Sequence, residues 1–135
     1  MFVLLMLQYP EDQIMKRIML LISLYFLLNT VSLFAGEADV IKVDVKSQKK
    51  NTYAFSVTVF HKDSGWSHYA DKWDIIGDNG VNYGTRVLLH PHVGEQPFTR
   101  SLSGVVIPDG VNKVTIRAHD SVHKYGGRQI AIELP

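Results

Sequence analysis

Six histidines occur along this chain as three pairs: His61 and His68, His90 and His92, His119 and His123. Neutral imidazole is the commonest metal ligand among side chains. In His90-Pro91-His92 the proline restricts the backbone between two rings. Residues two apart in extended chain point to the same side, which suits two ligands of one metal. The plainer use of such a pair is a ring that bonds a carbonyl or caps a loop. In His119-Asp120 with His123, Asp120 is placed to orient a histidine through its second nitrogen; an Asp-Ser turn accounts for the same residues equally well. Imidazole without thiolate suits copper(II), zinc or nickel, and the order of affinities favours copper. The chain has no cysteine, which removes thiol catalysis, iron–sulfur sites, cysteine-ligated copper and lipid anchoring through cysteine. It also has no phosphate loop, no Gly-x-Ser-x-Gly elbow and no His-Glu-x-x-His. Ser64 and Ser121 show no spacing to histidine that supports a catalytic triad.

The elements that must position these residues are strands. After about residue 39 the chain alternates apolar and polar residues between regular turn signals, the pattern of an all-β sandwich. Strands are expected at 40–46, 52–60, 71–76, 81–89, 98–107, 112–119 and 128–134. Ile41, Val43 and Val45 should face inward from the first, and Tyr53, Phe55, Val57 and Val59 share a face of the second. Trp73 and Ile75 point inward from the third, Val114, Ile116 and Ala118 from the sixth, and Ile130 and Ile132 from the seventh. Asp78-Asn79-Gly80 and Pro108-Asp109-Gly110 are turns.

Strand parity then gathers the histidines. If successive strands run antiparallel, the first, third and fifth connections lie at one end and carry ordinary turn residues. The second, fourth and sixth lie at the other and hold His61, His68, His90, His92, His119 and His123. The same end collects Trp66, Tyr69, Asp71, Glu95, Gln96, Arg100, Asp120 and Tyr125. Loops held by a rigid scaffold are a usual place for binding residues. By parity His61 continues the inward face of Val57 and Val59, Asp71 that of Trp73 and Asp120 that of Ala118. Three ionisable groups would then meet where the sheets open, as a buried polar network or around a cation that offsets their desolvation. Arg86 and Arg100 have Glu95 as a partner in sequence, and Gly126-Gly127 reads as the last turn.

Seven strands with a tryptophan on the third resemble an immunoglobulin-like or fibronectin-type sandwich, without the cysteine pair of antibody domains. The strings Gly65-Trp66-Ser67-His68-Tyr69-Ala70-Asp71 and His90-Pro91-His92, followed by Glu95-Gln96-Pro97-Phe98-Thr99-Arg100, resemble an uncharacterised bacterial family of exported domains. That resemblance implies a periplasmic location and carries no activity with it.

Upstream, Lys16 and Arg17 precede an apolar run from Ile18 to Leu28, the order of a secretory signal peptide. Residues 15–38 are therefore expected to be a signal helix and its cleavage region, with 39–135 as the working domain. Cleavage after Ala35 puts Leu33 at minus three, and cleavage after Ala38 puts the smaller Gly36 there. An uncleaved membrane anchor is the rival outcome. Residues 1–14 precede the charged region and fit a misassigned start. The net charge of +1 gives no reason to expect nucleic acid or anionic lipid.

The expected function is an exported or periplasmic binding module whose histidine-lined pole takes copper or zinc. The alternative is a protein- or glycan-recognition module that uses Trp66 and its neighbours, with a periplasmic protein as the partner. A metal-dependent enzyme is a third class and the least expected, because a loop site on so small a domain excludes water poorly.

Overall fold

The structure is a computed structural model and describes residues 10–28 and 36–135. The expected start at Met15 falls inside the described part; most of the leading segment and the Ala35 cleavage point lie outside it. The chain divides into two units, Met1–Leu33 and Phe34–Pro135. In the first, helix α1 (Glu11–Leu28) opens with Glu11 and Asp12 in its first turn, where carboxylates favour the helix dipole. Asp12 also pairs with Lys16 one turn on. Among the described residues, no helix is long and apolar enough to cross a membrane.

The second unit is a sandwich of two antiparallel sheets. Its strands are β1 (Asp39–Lys49), β2 (Thr52–Phe60), β3 (Ala70–Gly77), β4 (Asn82–Val87), β5 (Phe98–Val106), β6 (Lys113–Asp120) and β7 (Ile130–Glu133). One sheet has the order β1-β2-β5 and the other β4-β3-β6-β7. The fourth strand pairs with the third, which differs from the arrangement of an antibody constant domain. Phe55, Val57 and Val59 of β2 face Trp73 and Ile75 of β3 and Val114, Ile116 and Ala118 of β6, and all are buried in one core. Burial of these side chains contributes about 1.5–3 kcal/mol each before chain entropy is counted.

Two bulges change the expected faces. A register shift between Val40 and Lys42 in β1 turns Val40 inward and leaves Ile41 38% exposed. A second, between Ala70 and Lys72 in the β3–β6 ladder, buries Ala70 and moves Asp71 off the face of Trp73. An extra residue on one strand reverses side-chain parity beyond it. β4 is also shorter than expected, ending at Val87.

Asp74, on β3 beside Trp73, is only 1% exposed. It accepts hydrogen bonds from the hydroxyls of Thr85 and Tyr125, both at 2.5 Å, and lies 3.6 Å from Arg117. Burial pushes this carboxyl up, but those hydrogen bonds and the charges of Lys72 and Arg117 outweigh it and hold it below the ordinary carboxylate range. A carboxyl lowered in the fold contributes stability above its unfolded value of about 3.9 and loses it as pH falls through the folded value. Stability to urea should therefore fall below about pH 4 in the natural chain. In Asp74→Asn it should start about 1–3 kcal/mol lower at pH 7 and fall less steeply in acid. Parallel curves in acid would contradict this role.

Candidate metal centre

β2 leads directly into His61, which keeps the inward parity of Val57 and Val59 and is 1% exposed. The following loop turns back on itself. The Ser64 amide bonds the His68 carbonyl at 3.0 Å, and the His68 amide bonds Gly65 at 3.2 Å. His68 is thereby returned beside His61, ring against ring at 4.8 Å. At the end of β6, Asp120 is fully buried. Its Oδ1 accepts the amides of Val122 at 2.9 Å and His123 at 2.7 Å, an Asx turn that swings His123 back over the strand end.

The result is a cluster of polar atoms to which the carbonyl oxygen of Gly36 also belongs. His61 Nε2 lies 2.7 Å from that oxygen, His123 Nδ1 2.8 Å and His68 Nε2 3.1 Å. Asp120 Oδ1 joins them at 3.2 Å from His68 Nε2 and 3.3 Å from His123 Nδ1. The donor atoms of His61, His68 and Asp120 all lie within 4.8 Å of one another. A metal with bonds of about 2.0–2.2 Å spaces neighbouring ligand atoms by roughly 3–3.5 Å, so this spacing suits a metal ion. A carbonyl oxygen has two lone pairs, yet three ring nitrogens are aimed at it. The other oxygen of Asp120, Oδ2, is buried and has no hydrogen-bond partner among the described residues. Burial pushes the Asp120 carboxyl up; the amides of His123 and Val122 and the neighbouring imidazoles His61 and His123 more than reverse this, so it stays below the ordinary carboxylate range. The centre is closed on the side of His61 and Asp120 and open on that of His68 and His123, whose side chains are 24% and 38% exposed.

His61 is fixed from behind. Its Nδ1 meets Asp63 Oδ1 at 2.5 Å, and the same oxygen accepts the Ala70 amide at 3.0 Å. Asp63 Oδ2 accepts the His92 amide at 2.7 Å. A buried carboxylate that holds the far nitrogen of a histidine orients the near nitrogen for a metal. Gln96 adds to the frame, accepting the His61 amide at 3.0 Å and donating to the His92 carbonyl at 3.1 Å.

The remaining histidines stand elsewhere. His92 is stacked on Phe98 with ring centroids 3.9 Å apart, and its Nε2 accepts from Arg100 at 2.9 Å. Burial, with Arg100 and His90 adding to it, pushes this imidazole below its usual range, so it stays neutral and free to accept. His90 is exposed and faces the carbonyl of Pro91 at 3.0 Å. His119 Nδ1 pairs with Asp71 at 2.5 Å and sets its ring edge on Tyr125. The convergence of Asp71 with His61 and Asp120 is thus replaced by an Asp71–His119 pair, a consequence of the β3 bulge. Trp66 is 68% exposed and meets Tyr69 edge-on. Glu95 is exposed.

Asp63 and Gly36 are absent from the sequence-based site. His61-Lys62-Asp63 carries the signal for the first, since residues two apart in extended chain share a side. Gly36 precedes β1, and parity puts the start of that strand at the same pole as the histidine loops, with Asp39 opposite Phe60.

No protein-family model matches the chain, and no solved structure matches it. It is 38% identical over 104 residues to a protein of Halomicrobium mukohataei named "Putative lipoprotein". The match covers 77% of this chain and 51% of that protein, so the chain spans about half the length of the curated relative it matches.

Proposed function

We propose that the domain is an exported, immunoglobulin-like binding module that takes one transition metal ion of the copper or zinc type at the pole of the sandwich. His61, His68 and His123 are the nitrogen ligands, with Asp120 as the oxygen ligand. The carrying observation is the convergence of three imidazole nitrogens and a buried carboxylate on one point. The name of the Halomicrobium protein fits an exported location. Nitrogen and oxygen donors without thiolate suit copper(II) and zinc. Equilibrium dialysis of the metal-free domain against each ion tests the proposal: one ion bound per chain is expected, and no uptake of either would end it.

Exposure of Trp66 favours a second reading, recognition of a protein or glycan. The indole covers little of the core, so Trp66→Ala should change unfolding free energy by no more than about 0.5 kcal/mol and leave metal content intact. Capture of a periplasmic partner by the natural chain and not by this variant would support recognition. Loss of metal from the variant would instead tie the indole to the centre.

A further inference from the structure

We infer that residue Gly36 becomes the first residue of the exported chain and closes the metal centre with its own backbone, its α-amine and carbonyl oxygen chelating the ion beside His61, His68 and His123. This rests on the metal-binding function proposed above and names a ligand that no side chain supplies.

Three observations carry it. First, the Gly36 carbonyl oxygen already stands 2.7, 2.8 and 3.1 Å from the three imidazole nitrogens, close to the spacing of neighbouring ligand atoms on one ion. The nitrogen and carbonyl oxygen of one residue close a five-membered ring on a shared metal, and an amine is a good ligand where an amide is a poor one. Cleavage before Gly36 makes that change at the required place.

Second, the position is crowded by the ligand rings themselves. A Cβ there would lie 2.4 Å from His123 Cε1 and 2.7 Å from His68 Cε1. Such close backbone approach is a recognised reason for glycine.

Third, the segment that follows is built into the domain. Ala38 is 1% exposed and belongs to the core. The Val40 amide bonds the Arg128 carbonyl at 2.9 Å, and the Arg128 amide bonds Asp39 at 2.7 Å. A Cβ on Gly127 would lie 2.0 Å from the Ala38 carbonyl oxygen, and one on Gly126 2.2 Å from Glu37. Gly126-Gly127 therefore serves as the bed on which residues 37–39 lie. Cleavage after Ala38 would remove a buried residue and the carbonyl together; cleavage after Ala35 keeps both.

The mass of the protein exported from the full chain reports the cleavage point. A first residue of Gly36 is expected, and a first residue of Asp39 would overturn the inference. Among the described residues the core runs from Ala38 to Leu134, so the domain can also be released from a fusion in two forms, one beginning at Gly36 and one at Ala35. The Gly36 form should bind copper(II) at least about tenfold more tightly. Its paramagnetic resonance, recorded with 15N-glycine, should show coupling to a glycine nitrogen that the Ala35 form lacks. Equal affinities with no glycine coupling would overturn the amine ligand and leave the histidine centre standing. Failure of both forms to bind would end the metal function itself.

Discussion

Copper(II) or zinc at a hundredfold excess over its dissociation constant is expected to raise the melting temperature of the metal-free domain by about 10–20 °C, and His68→Ala is expected to remove most of that rise. A ligand that binds only the folded chain adds about 2.7 kcal/mol at that excess. Each kcal/mol is worth roughly 4–8 °C in a domain of this size. His68 is the informative ligand to remove. Its ring is partly exposed, and its contacts are His61, His123, Asp120 and the Gly36 carbonyl, all members of the centre. The bonds that shape its loop are made by its backbone and survive the substitution. The metal-free variant should therefore melt close to the natural chain, and the difference should appear only when metal is added. His61→Ala is less informative, because removing a fully buried ring also leaves a cavity and an unpaired Asp63. His90→Ala is the control: its ring is exposed, bonds the carbonyl of Pro91 and lies beside the His92 ring, outside the cluster. It should keep the whole rise. A rise untouched by His68→Ala, or lost equally in His90→Ala, would place the bound metal at another site and refute the centre described here.

The contrast between His68 and His90 also shows what a sequence of this kind discloses. Alternation and turn residues were sufficient for two antiparallel sheets, because the inward positions of β2, β3 and β6 follow period two almost without interruption. The departures sit at bulges. One inserted residue near Ile41 and another near Asp71 reversed the parity on which their placement depended, and neither bulge has a residue signature in the chain. At the pole, connectivity collects six histidines but says nothing of where each ring turns. That is decided by local bonds. Asp120 folds the last loop so that His123 comes inward, while Phe98 and Arg100 claim both a face and a nitrogen of His92. The spacing of His90 and His92 was the most suggestive in the sequence, and the two rings do lie 4.6 Å apart, yet one is exposed and the other is stacked on Phe98 with its Nε2 taken by Arg100. The two residues that sequence reasoning passed over act through groups that carry no ligand-like label: a backbone carbonyl at Gly36 and a carboxylate, Asp63, whose work is to hold another residue.

That second omission leads to the other large effect. Asp63→Ala is expected to cost at least about 3 kcal/mol in unfolding free energy, since it leaves three buried donors unmet at roughly 1–3 kcal/mol each. It should also weaken metal binding by about 10–100-fold, the usual toll for losing the carboxylate behind a ligating histidine. Three donors depend on this side chain: His61 Nδ1 at 2.5 Å and the amides of Ala70 and His92 at 3.0 and 2.7 Å. The side chain is fully shielded from solvent, so no water replaces it without a rearrangement of the loop. These bonds also tie two of the pole's three connections together, the β2–β3 loop and the β4–β5 loop, and anchor both to the first residue of β3. With a total stability of the usual 5–15 kcal/mol, the alanine variant would lose a large fraction of its folded margin. Asp63→Asn keeps the measurement available if that variant does not fold. An amide preserves one accepting oxygen for His61 and Ala70 but turns a donor toward the His92 amide, an unmet pair worth about 1–3 kcal/mol. Asparagine should therefore fall between the natural chain and alanine in denaturant stability while retaining most of the copper or zinc affinity, because His61 still has an oxygen behind it. Should both variants bind metal as tightly as the natural chain, Asp63 is a structural tie alone and His61 is oriented by its contacts with His68 and the Gly36 carbonyl.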